Sequence, residues 1–234
     1  MLDGHFRSTV DKTVRPIGQN LTKTGLTADH FTLAGLVLSV GAAVSIGMGQ
    51  LRIGFLLVAL TGLCDTLDGA VAKAAGTSSS RGAFFDSVAD RISDALLFGG
   101  VAWYFSDTRP GPLVMLPVAV LASSSIISYQ RAKAESLGFT AKGGIMERAE
   151  RIILLGLGLL FDALLVPMLV VMLVLTLFTC SQRFMKVWAQ ASVERPVVRT
   201  RRPARRRARP TVAERRDAWR ARTAERSRQY PRNR

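Results

Sequence analysis

The chain has 234 residues, 48% of them hydrophobic, and carries a formal net charge of +15. The apolar and charged residues are segregated: Ala189 to Arg234 holds 16 arginines and four acids, so +12 of the +15 lies there and the remainder is close to neutral and strongly apolar. Two distant cysteines, Cys64 and Cys180, with no CxxC pair and only two histidines, argue against a disulfide framework or a zinc site and suit small core residues.

In chain order, residues 1–24 carry scattered charges without the continuous apolar core of a signal peptide, and are expected to form a juxtamembrane segment with a short amphipathic helix. At "GLTADHFTLAG", residues 25–35, Thr27 or Asp29 suits a helix N-cap. Apolar runs follow at 31–50, 52–72, 83–105, 112–130, 149–166 and 167–188, each near the ~20 residues a helix needs to cross a ~30 Å hydrocarbon core. The expected fold is an all-α integral membrane protein with six transmembrane helices over residues 25–188. Only Asp162 and Pro167 mark a turn between the last two runs. The tail, 189–234, is poor in aliphatics and broken by prolines, and is expected to be disordered with a helix near Val212–Arg228. Its charge suits anionic lipid or nucleic acid, and lipid is far more accessible to a membrane-tethered tail, so nucleic acid is not the expected partner.

Basic residues set the orientation. Lys12, Arg15 and Lys23 precede the first run, Lys73 and Arg81 lie between the second and third, and Arg131, Lys133, Lys142, Arg148 and Arg151 lie between the fourth and fifth. The opposite loops hold little beyond Arg52 and Arg109. An even number of spans with this bias puts both termini on the cytoplasmic side of the plasma membrane.

On that side lies "CDTLDGAVAKAAGTSSSRGAFFDSVAD", residues 64–90. Asp65 and Asp68 are i, i+3, and Asp86 and Asp90 are i, i+4, so each pair shares one helical face, and a short glycine- and serine-rich connection makes the two helices antiparallel neighbours. Four converging carboxylates need counter-charge. Hard oxygen donors favour Mg²⁺, Mn²⁺ or Ca²⁺, and a pair of divalent ions would balance the four charges in the manner of phosphoryl-transfer sites. The plainer alternative is that the acids cap helices or pair with Lys73, Arg81 and Arg91 at the membrane surface. Acids within spanning helices are more often functional.

Written as a pattern from Asp65, the stretch is D-x2-D-G-x2-A-K-x8-G-x3-D-x3-D. It resembles the signature of the CDP-alcohol phosphotransferase family, departing from it only at Lys73, where the family has Arg. The resemblance implies two Mg²⁺ ions, or Mn²⁺, held by Asp65, Asp68, Asp86 and Asp90, with Asp90 as the base that deprotonates the incoming hydroxyl. The substrate it implies is a CDP-linked lipid, CDP-diacylglycerol, with CMP leaving. Gly69, lacking a Cβ, lets a nucleotide lie against the helix backbone, and Lys73 can reach a phosphate as a point charge without the fork of an Arg. By similarity to the family's entry to its first span, Asp29, His30, Phe31 and Thr32 would touch the cytidine diphosphate, assisted by Ser79; for Asp29 the capping role stays open beside this.

The stretch "SSSIISYQRAKAESLGFTAKGGIMERAERIIL", residues 123–154, and Cys180, Gln182 and Arg183 further on resemble the actinobacterial phosphatidylinositol phosphate synthases within that family. The resemblance implies that Ser128, Arg131, Arg148, Arg151 and Arg183 bind the phosphate of a phosphorylated alcohol, inositol 1-phosphate, and that the protein is a homodimer. Arg148 and Arg151, i, i+3 apart, can receive a dianionic phosphate through charge-assisted bonds, although snorkelling toward lipid headgroups would also explain juxtamembrane arginines. Glycerol 3-phosphate is the alternative acceptor. From other classes, a transporter or ion pathway would place acids near mid-bilayer, and a scaffold recruiting partners through its arginine tail leaves the aspartates unexplained.

Overall fold

The computed structural model describes residues 27–76, 79–141 and 143–192, together with Ala213 and 216–220. The chain divides into two units, Met1–Val193 and Glu194–Arg234. In the second, Ala213 and residues 216–220 are helical and exposed, Trp219 among them. The expected N-terminal amphipathic helix, the basic residues Lys12, Arg15, Lys23 and Lys142, and most of the arginine-rich tail lie outside the described residues.

The first unit is all helical among the described residues. Its α-helices are α1 (Ala28–Gly47), α2 (Leu51–Ala75), α3 (Ser80–Thr108), α4 (Met115–Ser136, entered through a 3₁₀ turn at Pro112–Val114), α5 (Arg148–Leu160) and α6 (Asp162–Ser192). Four are long and apolar enough to cross a membrane: Ala28–Gly47, Leu51–Ala75, Pro112–Ser136 and Asp162–Ser192. Their outer faces carry bare aliphatics such as Val37, Val44, Leu56, Leu60, Val174 and Leu177, which only a lipid environment tolerates in such number. The chain is a multi-pass membrane protein.

The six expected spans therefore meet four helices of this kind. At 29 residues α3 is long enough, but its first half carries Asp86, Asp90, Arg91 and Asp94. With 13 residues, α5 rises only about 20 Å. The break between the last two elements falls at Phe161 rather than at Pro167: Phe161 is extended (φ −127°, ψ 98°) and α6 runs straight through the proline. A proline there forfeits one i to i−4 hydrogen bond. Asp162 fixes the break instead, because Arg109 Nη2 donates to both its carboxylate oxygens (2.9 and 2.8 Å) and Tyr104 Oη donates at 3.1 Å.

The connection between α2 and α3 is also shorter than the apolar runs suggest, since α2 continues to Ala75 and α3 begins at Ser80. Gly76 closes α2 in the left-handed conformation (φ 63°), which glycine adopts without a Cβ penalty. Ser79 opens α3 by accepting the Gly82 N–H at 3.1 Å.

Helix α1 packs on α2 and α3, α2 on α5, α3 on α4, and α6 on α4 and α5. Ala42, Ile46, Leu97, Phe98, Val101, Leu155, Leu165 and Leu169 fill the core. The α1–α3 contact is close at Gly100, where a Cβ would come within 2.6 Å of the Ala43 carbonyl oxygen. The same two helices are pinned by a buried hydrogen bond from Ser39 Oγ to Ser93 Oγ at 2.9 Å. That bond sets the rotation of α3 one residue before Asp94.

Candidate active site

One end of the bundle gathers the starts of α1, α3 and α5 and the finishes of α2, α4 and α6. The polar side chains excluded from the apolar middle collect there. Asp65 and Asp68 lie on the last two turns of α2 before Lys73, and Asp86 and Asp90 on the first three turns of α3. One carboxylate oxygen from each of Asp65, Asp68 and Asp86 lies within 4.8 Å of the other two. Asp65 is the most open of the three, Asp86 is half-buried and Asp68 is buried at 7% exposure. Three acid side chains so close, two of them withdrawn from water, hold together when a cation lies among them. The set is all oxygen, which fits a hard divalent ion such as Mg²⁺ or Mn²⁺.

Asp90 meets this group through an arginine. Arg148 Nη1, at the first residue of α5, is 2.7 Å from Asp65 Oδ1 and 2.5 Å from Asp90 Oδ1. Thus α5 brings a guanidinium between the carboxylates of α2 and α3.

The residues expected around the nucleotide distribute as follows. Thr32 Oγ1 donates to Asp68 Oδ2 at 2.8 Å, so the start of α1 orients one carboxylate of the cluster. Thr27 is the N-cap of α1, and His30 faces back onto it: His30 Nδ1 accepts the Thr27 N–H at 3.2 Å and lies 2.6 Å from Thr27 Oγ1. Asp29 is exposed, in the first turn, 4.0 Å from Arg81 Nη2. Phe31 is half-buried, while Lys73 and Ser79 are exposed. A Cβ built on Gly69 would meet nothing within 4 Å beyond its own stretch of helix, so the backbone there faces open space beside Asp68.

The expected acceptor residues divide into three settings. Arg148 and Arg151 point into the polar cluster; Arg151 is 3% exposed and donates from Nη2 to Asp94 Oδ2 at 2.9 Å. Ser128 accepts from Arg91 Nη1 and donates to the Ser124 carbonyl oxygen at 3.1 Å. Arg183, 4% exposed, spends its donors on the segment before α5: Nε to the Gly143 carbonyl oxygen at 2.9 Å and Nη2 to Glu147 Oε1 at 3.1 Å, with Nη1 to the Ile127 carbonyl oxygen at 3.3 Å. Arg131 lies apart, exposed and paired along its own helix with Glu135 at 3.1 Å. Glu147 orients Arg183, whereas Glu150 Oε2 accepts the Glu147 N–H at 3.1 Å in a capping box.

Two residues of the cluster escaped the sequence reading. Asp94 is 2% exposed and lies against Arg91, Arg148 and Arg151 together. Its signal was the spacing Asp86, Asp90, Asp94, a third step of four residues on the same helical stripe. Arg91, on sequence a surface partner for the acids, spans from Asp94 to Ser128.

The CDP-alcohol phosphatidyltransferase profile matches residues 26–193. A phosphatidylinositol phosphate synthase of Mycobacterium marinum is 36% identical over 192 residues, covering 78% of this chain and 82% of that protein. Among solved structures, the Mycobacterium tuberculosis phosphatidylinositol phosphate synthase with CDP-DAG bound superposes with a TM-score of 0.72 at 34% identity, covering 79% of this chain and 98% of that one. The same synthase in complex with manganese and citrate gives 0.71 at 34% identity, covering 78% and 92%.

Proposed function

We propose, since the chain belongs to the CDP-alcohol phosphatidyltransferase family, that this membrane enzyme transfers the phosphatidyl group of CDP-diacylglycerol to inositol 1-phosphate, releasing CMP and forming phosphatidylinositol phosphate. The observation that carries the reading is the position of Arg148, which touches Asp65 and Asp90 and so joins a basic patch directly to the carboxylates of the CDP-lipid motif. Two relatives are named for the same product, phosphatidylinositol phosphate, and one of them is solved with CDP-DAG bound, which supports this reading.

Asp65, Asp68 and Asp86, with Asp90, would hold two Mg²⁺ ions, or Mn²⁺. When bound, such ions neutralise charge on the pyrophosphate and stabilise the leaving CMP oxygen. The chain's own residues do the rest. Gly69 leaves room for the nucleotide against α2, and Asp29, His30, Phe31, Thr32, Lys73 and Ser79 would contact it. Arg148 and Arg151 receive the acceptor phosphate, with Ser128 joined to them through Arg91 and Arg183 bracing the segment before α5; Arg131 would join them by leaving its pair with Glu135. Asp90 takes the proton of the incoming hydroxyl onto a carboxylate oxygen; the alcohol oxygen then bonds to the lipid-bearing phosphorus as the bond to CMP breaks. The basic residues around this end of the bundle support a cytoplasmic site with both termini on that side. A homodimer belongs to the same proposal. The acids cluster at one end of the helices rather than midway, which disfavours an ion pathway.

The test is CMP release by purified protein given CDP-diacylglycerol, Mg²⁺ and each alcohol in turn. Turnover with inositol 1-phosphate and not with inositol is the expected result. Turnover only with glycerol 3-phosphate overturns the acceptor assignment while leaving the chemistry intact.

A further inference from the structure

We infer that Asp94 is a positioning residue: its buried carboxylate aims Arg91, Arg148 and Arg151 at the phosphate of the acceptor. The inference rests on the phosphorylated-acceptor reading above and deepens it. Asp94 sits one turn below Asp90 on α3, 2% exposed, with Arg151 Nη2 at 2.9 Å and Arg91 Nη2 at 3.5 Å from Oδ2, and Arg148 Nε at 3.7 Å from Oδ1. One negative charge therefore faces three guanidiniums from two helices. A buried carboxylate in that position offers a fixed geometric reference for all three, and through Arg91 it reaches Ser128 as well.

The donors left over point to an anion. An arginine carries five N–H groups and buried donors are normally satisfied. Among the described residues, Arg148 Nε and Arg151 Nε are both buried without a hydrogen-bond partner, and Arg151 is almost wholly withdrawn from water. Oxygens of a phosphate dianion supply such acceptors through short charge-assisted bonds. Asp94 does not itself touch that phosphate. It holds the guanidiniums in one arrangement, so the ordering cost falls at folding rather than at binding.

The experiment compares Asp94→Asn with the parent in full-length, detergent-solubilised enzyme. Asparagine keeps the shape but turns half of the acceptor carboxylate into an N–H donor facing guanidiniums. The expected result is a KM for the phosphorylated alcohol raised roughly tenfold or more, with the KM for CDP-diacylglycerol changed by less than about twofold. Asp94→Asn/Arg151→Gln removes both charges of the pair at once and so guards against a variant that fails to fold. Because Asp94 acts in part through Arg151, the acceptor KM of this double variant rises by less than the product of the two single effects; strictly multiplicative, independent effects overturn the inference.

Binding of inorganic phosphate, followed by ³¹P linewidth without turnover, is the parallel readout. Phosphate bound by the parent and weakened in Asp94→Asn supports the inference whichever alcohol proves to be the substrate. Equal rises in both KM values, or phosphate binding that the substitution leaves unchanged, overturn it. Turnover with unphosphorylated alcohol alone sinks the acceptor reading, and the phosphate measurement then decides the role of Asp94 by itself.

Discussion

Arg148 Nη1 stands 2.7 Å from Asp65 Oδ1 and 2.5 Å from Asp90 Oδ1, joining the start of α5 to both helices that bear the acidic motif. The residues are 83 and 58 positions apart, and only the folded bundle brings them together. Their contact places the two halves of the proposed reaction side by side: carboxylates that would hold metal and pyrophosphate on one flank, guanidiniums that would hold a second phosphate on the other. Group transfer between two anionic substrates requires neighbouring cationic sites, which metal ions held by the carboxylates would provide on one flank and the guanidiniums on the other.

Asp90→Asn preserves the size of the side chain but removes the base. Turnover should fall by roughly 10²–10⁴-fold, with the KM for CDP-diacylglycerol little changed. Steady-state CMP release measures this, and a variant keeping the parent's rate would falsify the assignment of Asp90.

Gly69→Ala separates folding from binding. The added Cβ meets nothing within 4 Å beyond its own stretch of helix, and alanine is favoured over glycine in a helix by up to about 1 kcal/mol. Thermal stability should hold or rise while the KM for CDP-diacylglycerol increases. Unchanged kinetics in a stable variant would show that the nucleotide does not lie against this turn.

Lys73→Arg supplies a forked donor at this motif position in place of a point charge. The KM for CDP-diacylglycerol should fall, by roughly threefold to tenfold, with kcat nearly constant. A lower kcat with the same KM would mean that Lys73 serves the chemical step instead of holding phosphate.

Arg109→Ala tests the other end of the bundle. It removes the ion pair to half-exposed Asp162 that fixes the α5–α6 break, at a cost of about 1 kcal/mol or less for a pair so open to solvent. A slightly lower unfolding temperature with unaltered KM values is the expected outcome; a large loss of activity would mean that the two ends are coupled.

The acidic motif could be read before the fold was known because helical periodicity alone puts Asp65 with Asp68 and Asp86 with Asp90, and a short connection makes α2 and α3 neighbours. Three of those carboxylates do converge. Asp94 was legible in principle, as the next residue on the same stripe, but the motif stops at Asp90 and its partners Arg148 and Arg151 lie more than 50 residues away. Arg183 illustrates a different limit. Its ties to the Gly143 carbonyl oxygen and Glu147 depend on how the loop before α5 folds back onto α6, and no local pattern encodes that. Of the two sequence marks for the α5–α6 turn, Asp162 and Pro167, the apolar runs divide at the proline, whereas the turn is held at Asp162 by Tyr104 of α3 and Arg109 just beyond it.

Anomalous diffraction from crystals of the protein grown with Mn²⁺ tests the central claim most directly. Two peaks are predicted, bounded by carboxylate oxygens of Asp65, Asp68, Asp86 and Asp90. Manganese bound elsewhere, or these four side chains turned away from one another with no anomalous signal between them, would contradict the account.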